Sequence, residues 1–186
     1  SHILSALEQY LKAAQSVLEI GSYSGQHALY FTRQISSIVW QPTDTQQYVE
    51  DLRENLSSYV SENLLTPKLL DVDDESSWPS NRYDLLFTAN TLHIMSWTSV
   101  TRCFLLAGEV LHLGGKLAIY GPFNYQGKYT SPSNADFYIW LKERDAKSGI
   151  RDIEAIEQQA SLNGLQLLDD RAMPANNRLL IFKKHS

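Results

Sequence analysis

Cysteine, long apolar runs and positive charge are all scarce in this sequence. Cys103 is the single cysteine among 186 residues, so an internal disulfide is excluded and a reducing, cytoplasmic location is expected. No apolar run approaches the roughly 18 residues that a membrane-spanning helix needs, so no membrane partner is expected. Lys and Arg number 16 against 21 Asp and Glu, which gives a net charge of -5. Because these cations form no basic stripe, we expect no nucleic-acid partner.

The length and periodicity of the chain predict a single α/β domain over residues 1–186. Strand-like and helix-like segments alternate, which is typical of a mostly parallel sheet with helices on both faces. The last two strands are separated only by P-A-N-N, a hairpin spacing, so the final strand is predicted to be antiparallel. The seven predicted strands are Ser16–Ile20, Ile38–Gln41, Lys68–Val72, Tyr83–Ala89, Lys116–Tyr120, Leu165–Met173 and Arg178–Lys184.

A glycine turn between the first strand and the next helix is the most informative segment. It reads V-L-E-I-G-S-Y-S-G from Val17 to Gly25. Glycine lets the backbone turn sharply and approach a ligand, and the free amides of the following helix favour a negative group. Glu19, Gly21 and Gly25 follow E-x-G-x-x-x-G, which resembles the first motif of S-adenosylmethionine-dependent methyltransferases and differs from the G-x-G-x-x-G of dinucleotide-binding folds. The alternative interpretation is a plain strand-turn-helix junction.

Tyr23 departs from that resemblance, because the usual pattern has glycine at this position. Its side chain must point away from a cofactor, stack on it or occlude it. Glu19 also has two interpretations, since its carboxylate can hold the cofactor's amino group or stabilise the amides of the turn.

Polar residues follow the predicted strands at the sheet edge where ligands bind in open parallel sheets. Asp44 can accept hydrogen bonds from two ribose hydroxyls, or it can cap the helix that begins near Gln46. Asp71 can accept a hydrogen bond from an adenine amino group beside an apolar wall from Val72, although D-V-D-D is also typical of a solvated turn. Asn90 ends the fourth strand, where the methionine part of the cofactor would pass. The predicted cofactor-binding residues are Glu19, Gly21, Ser22, Tyr23, Gly25, Asp44, Asp71, Val72 and Asn90, and no metal is expected.

Candidate catalytic and acceptor-binding residues lie further along the chain. His93 can act as a base, because an unperturbed imidazole titrates near neutrality, or it can be a structural hydrogen-bonding residue. Arg151 can bind an anion, and Asp152 can cap a helix. The loop after the fifth strand mixes aromatic and polar residues, which suits either a small acceptor or a lid over the core edge. The predicted acceptor-binding residues are Phe123, Asn124, Tyr125, Tyr129, Ser133, Asn134, Asn176 and Asn177, of which the last two also suit a turn.

Seven short motifs extend along most of the chain. They are L-E-I-G-S-Y-S-G-Q-H-A, W-Q-P-T-D, A-N-T-L-H-I, Y-G-P-F, S-P-S-N-A-D-F, G-I-R-D and M-P-A-N-N. Together they resemble the DUF938 family of methyltransferase-like proteins, from about Ile3 to the end. The resemblance implies a Rossmann-like class I methyltransferase fold with S-adenosylmethionine as cofactor. By position it assigns cofactor roles to Glu19, Gly21, Gly25, Asp44, Asp71 and Asn90.

The leading hypothesis is a cytoplasmic methyltransferase that acts on O, N or S of a small molecule. Such an enzyme mainly aligns donor and acceptor and removes water. The alternative is a non-catalytic cofactor-binding or scaffold protein with the same fold, for which Tyr23 is the main support. A nicotinamide-dependent oxidoreductase is a third hypothesis, but it requires a different glycine spacing. Both a monomer and a homodimer remain open.

Overall fold

Helices and strands alternate along most of the chain in the computed structural model, which describes residues 1–186. The strands are β1 (Ser16–Glu19), β2 (Val39–Gln41), β3 (Thr43–Asp44), β4 (Lys68–Leu69), β5 (Tyr83–Ala89), β6 (Leu111–Gly121), β7 (Phe123–Asn124), β8 (Arg151–Asp152), β9 (Leu165–Met173) and β10 (Asn177–Lys184). The helices are α1 (His2–Ala13), α2 (Gln26–Gln34), α3 (Val49–Leu56), α4 (Trp97–Val110), α5 (Pro132–Arg144) and α6 (Ile153–Leu162). Short 3₁₀ turns cover Glu75–Ser77 and Pro174–Asn176.

The main sheet has the strand order β2-β1-β5-β6-β10-β9. Strands β2, β1, β5 and β6 are parallel to one another. Strand β10 is antiparallel to both β6 and β9. The predicted α/β class and the predicted antiparallel ending are therefore confirmed.

The main sheet has six strands and not the predicted seven. Pro42 separates β2 from β3, and because proline has no amide hydrogen it interrupts a strand ladder. Beyond it, β3 pairs in parallel with β4 as a separate two-stranded unit. The amide of Leu70 donates to the carbonyl of Asp44 at 2.9 Å. The predicted strand over 68–72 is thus reduced to Lys68–Leu69, which pairs with β3 and not with the main sheet.

The core is divided between the two faces of the sheet, as strand β5 illustrates. Leu86 belongs to a cluster with Phe104 of α4 and Phe182 of β10. Phe87 belongs to a second cluster with Phe31 of α2, because neighbouring side chains of a strand point to opposite faces. Both faces are therefore buried under helices, as expected for a parallel sheet.

Gly114 and Gly115 follow helix α4 closely enough to suggest a helix end, but they lie inside β6. Helix α4 already ends at Val110, and Gly114 has a φ of 80°. The pairing with β5 is irregular at this point, since Tyr83 lies opposite Leu111 but Leu85 lies opposite Lys116. The glycines thus serve a bulge in the strand, which long-range pairing creates.

The loop predicted after the fifth strand contains a short strand, β7, and ends where α5 begins. Strand β7 pairs in parallel with β8. Helix α5 begins at Pro132, where Ser131 caps it by accepting the amide of Asn134 at 3.0 Å.

No helix combines the length and the apolar character that a membrane crossing requires.

Candidate functional site

A cavity of about 440 Å³ opens where β1, β3, β4 and β5 end. The cavity is lined by the four chain segments at these strand ends. Parts of α2 and α4, and the segments that lead into α3 and α4, complete the lining. The lining residues are Ile20, Gly21, Ser22, Tyr23, Ser24, Gln26, His27, Asp44, Thr45, Tyr48, Leu70, Asp71, Val72, Asp73, Ala89, Asn90, Thr91, Ile94, Met95 and Ser99. Seven of the nine predicted cofactor residues are among them, and Glu19 and Gly25 are not.

The glycine turn adopts a backbone that other residues rarely take. Gly21 has a φ of 70°, and a Cβ there would lie 2.8 Å from Cγ2 of Thr91. Gly25 has a φ of 82°, and a Cβ there would lie 2.8 Å from the side chain of Leu56. Both positions therefore require glycine, one at the cavity wall and one against α3.

Asp44 joins the end of β3 to the glycine turn. Its Oδ2 accepts the amide of Tyr23 at 2.8 Å, and its Oδ1 accepts the amide of Thr45 at 2.8 Å. The residue is buried yet lines the cavity. Helix α3 begins at Val49 after Tyr48, so Asp44 does not cap it. Each carboxylate oxygen has a second lone pair that is available to a ligand hydroxyl.

Tyr23 lies at the mouth of the cavity and leaves the cavity open. Its φ is 51°, which explains why glycine suits this position of the motif. Its side chain is 71% exposed, and its ring meets that of Tyr48 edge to face with the centroids 6.0 Å apart. Of the three orientations expected, the side chain points outward in this structure.

Glu19 lies behind the cavity wall and is 1% exposed. Its Oε1 accepts the indole Nε1 of Trp40 at 3.1 Å. Burial raises the pKa of Glu19 from 4.5 to about 7, hydrogen bonds from Ser22 and Trp40 oppose this, and the charge of Asp44 adds to it. Glu19 therefore supports the turn from within the core and does not line the cavity.

Asp71, Val72 and Asn90 form the opposite side of the cavity. The Oδ1 of Asp71 accepts the amide of Asp73 at 2.9 Å, so the D-V-D-D run does form a turn. The backbone carbonyl of Val72 accepts Nε of Arg102 at 3.0 Å. Asn90 has a φ of 57°, and its amide donates to the carbonyl of Tyr120 at 2.9 Å.

The lining of the cavity is acidic. It includes the carboxylates of Asp44, Asp71 and Asp73, and it includes neither lysine nor arginine. His27 is the one histidine there, and burial lowers its pKa. The sequence interpretation missed His27, although its place in the first turn of α2 after the glycine turn is a signal that could have identified it. Such a lining suits a cationic ligand better than a phosphate.

His93, the predicted base, lies outside the lining of the cavity. Its ring meets Phe137 edge to face with the centroids 5.4 Å apart, and it is 7% exposed. Burial lowers the pKa of His93 to about 4, and the positive charge of Arg151 contributes to this. The imidazole is therefore neutral at pH 7, and it is a weaker base than an unperturbed histidine.

None of the eight predicted acceptor-binding residues lines the cavity. Three of them lie together, since Asn134 donates to the carbonyl of Asn176 at 3.3 Å and Asn176 donates to Oγ of Ser133 at 3.3 Å. Asn177 donates to Oη of Tyr120 at 3.1 Å, next to the strand end that holds Asn90.

The other four acceptor candidates are separate from this group. Phe123 belongs to the core, and Tyr129 packs on Tyr138 with the ring centroids 5.5 Å apart. Tyr125 donates to Oδ2 of Asp170 at 2.7 Å. Asn124 is buried, and its Oδ1 has no hydrogen-bond partner.

One known protein family and several solved structures match nearly the whole chain. The family described as "Protein of unknown function (DUF938)" matches residues 1–184. An O-methyltransferase family protein from Burkholderia thailandensis superposes with a TM-score of 0.85 at 15% identity, over 99% of this chain and 55% of that one. The structure "PigF with SAH" gives a TM-score of 0.80 at 15% identity, over 99% and 55% of the two chains. Human N-acetylserotonin methyltransferase in complex with SAM gives 0.76 at 12% identity, over 99% and 53%.

These solved structures establish the fold alone, because their sequences are only 12–15% identical. The fold is the one shared by S-adenosylmethionine-dependent methyltransferases. The present chain spans about half the length of each of these proteins.

Proposed function

The chain belongs to the DUF938 family, and from this membership and the cavity described above we propose that it transfers the methyl group of S-adenosylmethionine to a small molecule. The observation that carries the proposal is the position of Asp44. Its carboxylate is held by the amide of Tyr23 in the glycine turn and still faces a cavity of about 440 Å³. This is where an acid would bind the ribose of an adenosyl group.

We assign the remaining cofactor contacts by position around the cavity. Asp71 would accept the adenine amino group, with Val72 as the apolar wall. Asn90 would orient the methionine part, and the backbone of Gly21 would approach it closely. Gly25 and Glu19 would hold the turn from behind, because neither lines the cavity.

The charge of the cavity favours this cofactor over a nicotinamide dinucleotide. A dinucleotide brings a pyrophosphate, whose negative charge would meet Asp44, Asp71 and Asp73 with no lysine or arginine in the lining. S-adenosylmethionine brings a positive sulfonium and a positive ammonium group against one carboxylate, so its net charge is positive. The glycine spacing and the charge of the cavity therefore both favour S-adenosylmethionine over a dinucleotide.

The residues of the chain would contribute mainly position and a proton acceptor. S-adenosylmethionine supplies a methyl group already activated by its positive sulfur. Asp44 and Asn90 would hold the donor in line with the acceptor atom, whose lone pair bonds to the methyl carbon as the bond to sulfur breaks. His93 is the proposed proton acceptor; because its lowered pKa makes it a weak base, this role suits a nucleophile that itself loses its proton readily.

We propose that the acceptor approaches from the side of Asn90 and the end of β6. Tyr120 connects this side to a predicted acceptor residue, because its carbonyl accepts the amide of Asn90 and its hydroxyl accepts Asn177. The nearby group of Ser133, Asn134 and Asn176 would be the outer part of the acceptor site. We also propose that residues 1–186 form one domain and act in the cytoplasm, where Cys103 stays reduced.

Calorimetry with S-adenosylhomocysteine tests the cofactor assignment. We expect saturable binding with one molecule per chain, and no heat of binding with NAD. Absence of S-adenosylhomocysteine binding by the folded chain would refute the proposal. Transfer of a labelled methyl group to a metabolite extract tests catalysis separately, because a non-catalytic scaffold would bind the cofactor without transferring its methyl group.

A further inference from the structure

Arg151 carries a positive charge that no carboxylate balances. It begins β8, and its side chain is partly buried. Both hydrogen bonds of its guanidinium come from Nη2, which donates to the carbonyls of Met95 and Lys147. Its Nε is buried without a partner. Buried polar groups are normally hydrogen-bonded and buried charges are normally paired, so this arrangement requires an explanation.

Other partly buried arginines of this protein do have an acidic partner. Arg178 contacts Asp170 at 2.8 Å, and Arg102 contacts Glu75 at 2.8 Å. None of the ion pairs in the structure involves Arg151. Nη1 of Arg151, which forms no hydrogen bond, can therefore bind an anion without first breaking an ion pair.

Arg151 lies next to a residue of the cavity lining and next to the ring of Trp97. Met95, whose carbonyl Arg151 contacts, lines the cavity. The centroid of the Trp97 ring lies 5.8 Å from Cζ of Arg151. The carbonyl of His93 accepts the amide of Gly149 at 2.8 Å, so the segment that carries His93 is bound next to β8. The charge of Arg151 also contributes to the lowered pKa of His93.

We propose that Arg151 binds the carboxylate of an aromatic methyl acceptor and holds its ring against Trp97, beside His93. Nη1 of Arg151 donates to no group of the protein, so its N–H groups can form charge-assisted hydrogen bonds with a carboxylate. An indole face can pack on an aromatic ring. This inference rests on the proposed methyl transfer and extends it by naming the acceptor as an aromatic acid.

A purely structural role makes a different prediction. The two carbonyl contacts of Arg151 tie the segment of Met95 to that of Lys147. If this were its entire role, the protein would not distinguish a carboxylate from a neutral group of the same shape. Benzoate and benzamide are a matched pair of probes for that distinction.

The test is a titration of the isotope-labelled chain with each probe, followed by NMR through the indole signal of Trp97. That signal is assigned with a Trp97→Phe variant. We expect benzoate to shift it saturably and to bind about tenfold or more tightly than benzamide, as a hydrogen-bonded charge pair implies. In Arg151→Gln the preference for benzoate should disappear. In Arg33→Gln, an exposed arginine stacked on Tyr59, it should remain.

Equal affinity for benzoate and benzamide in the wild-type chain would overturn the proposal, and so would an unchanged preference in Arg151→Gln. If Arg151→Gln does not fold, Arg151→Lys keeps the charge and should keep part of the preference; complete loss of the preference in a folded lysine variant would then count against a charge-based site. The titrations are made without cofactor. Their failure is therefore distinguishable from failure of S-adenosylhomocysteine binding, which is measured by calorimetry on the same samples.

Discussion

Asp44 accepts the amide of Tyr23 at 2.8 Å, so the acid that ends β3 is bound directly to the turn that follows β1. The two residues are 21 positions apart, and both line the cavity. The contact uses the backbone of Tyr23, not its side chain. The position of the Asp44 carboxylate therefore does not depend on the side chain of Tyr23. Whether the ring of Tyr23 obstructs a ligand can be tested separately.

Replacing Asp44 by asparagine should weaken S-adenosylhomocysteine binding strongly. The variant keeps the size of the side chain but loses the charge, and a hydrogen bond to a charged group contributes about 1.5–3 kcal/mol. We therefore expect a loss of about tenfold to a hundredfold in affinity, measured by calorimetry. Asp51→Asn, on the exposed side of α3, is the control and should bind as the wild-type chain does. Unchanged affinity in folded Asp44→Asn would exclude the ribose contact.

Replacing Gly21 by alanine should destabilise the fold beyond the effect of its backbone angle. A left-handed φ costs a non-glycine residue about 1–2 kcal/mol, and the contact with Thr91 adds overpacking of about 1–3 kcal/mol. Gly127 has the same φ of 70° but open space around it, so Gly127→Ala isolates the first contribution. Urea denaturation of both variants measures the difference. Equal losses would mean that Thr91 moves aside.

The placement of the site could be predicted because it follows from local patterns. Asp44, Asp71 and Asn90 each follow a strand that hydrophobic runs identify. In a parallel sheet the carboxyl ends of these strands meet at one edge. Although β3 and β4 pair apart from the main sheet, their ends lie at the same edge, and the three residues line one cavity there.

The details that escaped prediction depend on contacts between distant segments. Gly114 follows a helix closely enough to resemble its terminator, but pairing with β5 places it in a bulge of β6. The capping of α5 had a local signal, Ser131 before Pro132, since proline is favoured in the first turn. The surroundings of Arg151 had no such signal, because Met95 and Trp97 reach it from a different part of the chain.

Replacing Tyr23 by glycine should leave cofactor binding nearly unchanged. The variant keeps the backbone amide that Asp44 accepts. Glycine relieves the strain of the left-handed φ, which costs the fold about 1–2 kcal/mol. It also adds an entropic cost of folding of about 0.5–1 kcal/mol. We expect affinity for S-adenosylhomocysteine within about threefold of wild type, since a tenfold change requires about 1.4 kcal/mol. A tenfold loss, seen by calorimetry, would show that the exposed ring closes over the bound ligand. Tyr23→Phe would then test whether the hydroxyl matters.

Glu19 should make the stability of the protein depend on pH. Its pKa is raised to about 7 in the folded chain from an ordinary value of 4.5, chiefly by burial. The unfolded chain therefore releases this proton at a lower pH than the folded chain does. The contribution to the free energy of unfolding is complete below about pH 4.5 and is lost as the pH rises to about 7, by about 3 kcal/mol in total.

Replacing Glu19 by glutamine isolates this effect, because the amide oxygen can still accept the indole of Trp40 but cannot ionise. Compared with wild type, Glu19→Gln should gain about 2–3 kcal/mol in relative stability between pH 5 and pH 8. Urea denaturation at the two pH values measures this difference, and other titrating groups cancel in the comparison. Glu62→Gln, at an exposed position, should show no such gain. If the two variants behave alike, Glu19 ionises in the folded chain as freely as an exposed acid does. That result would contradict the burial of Glu19 in a closed core.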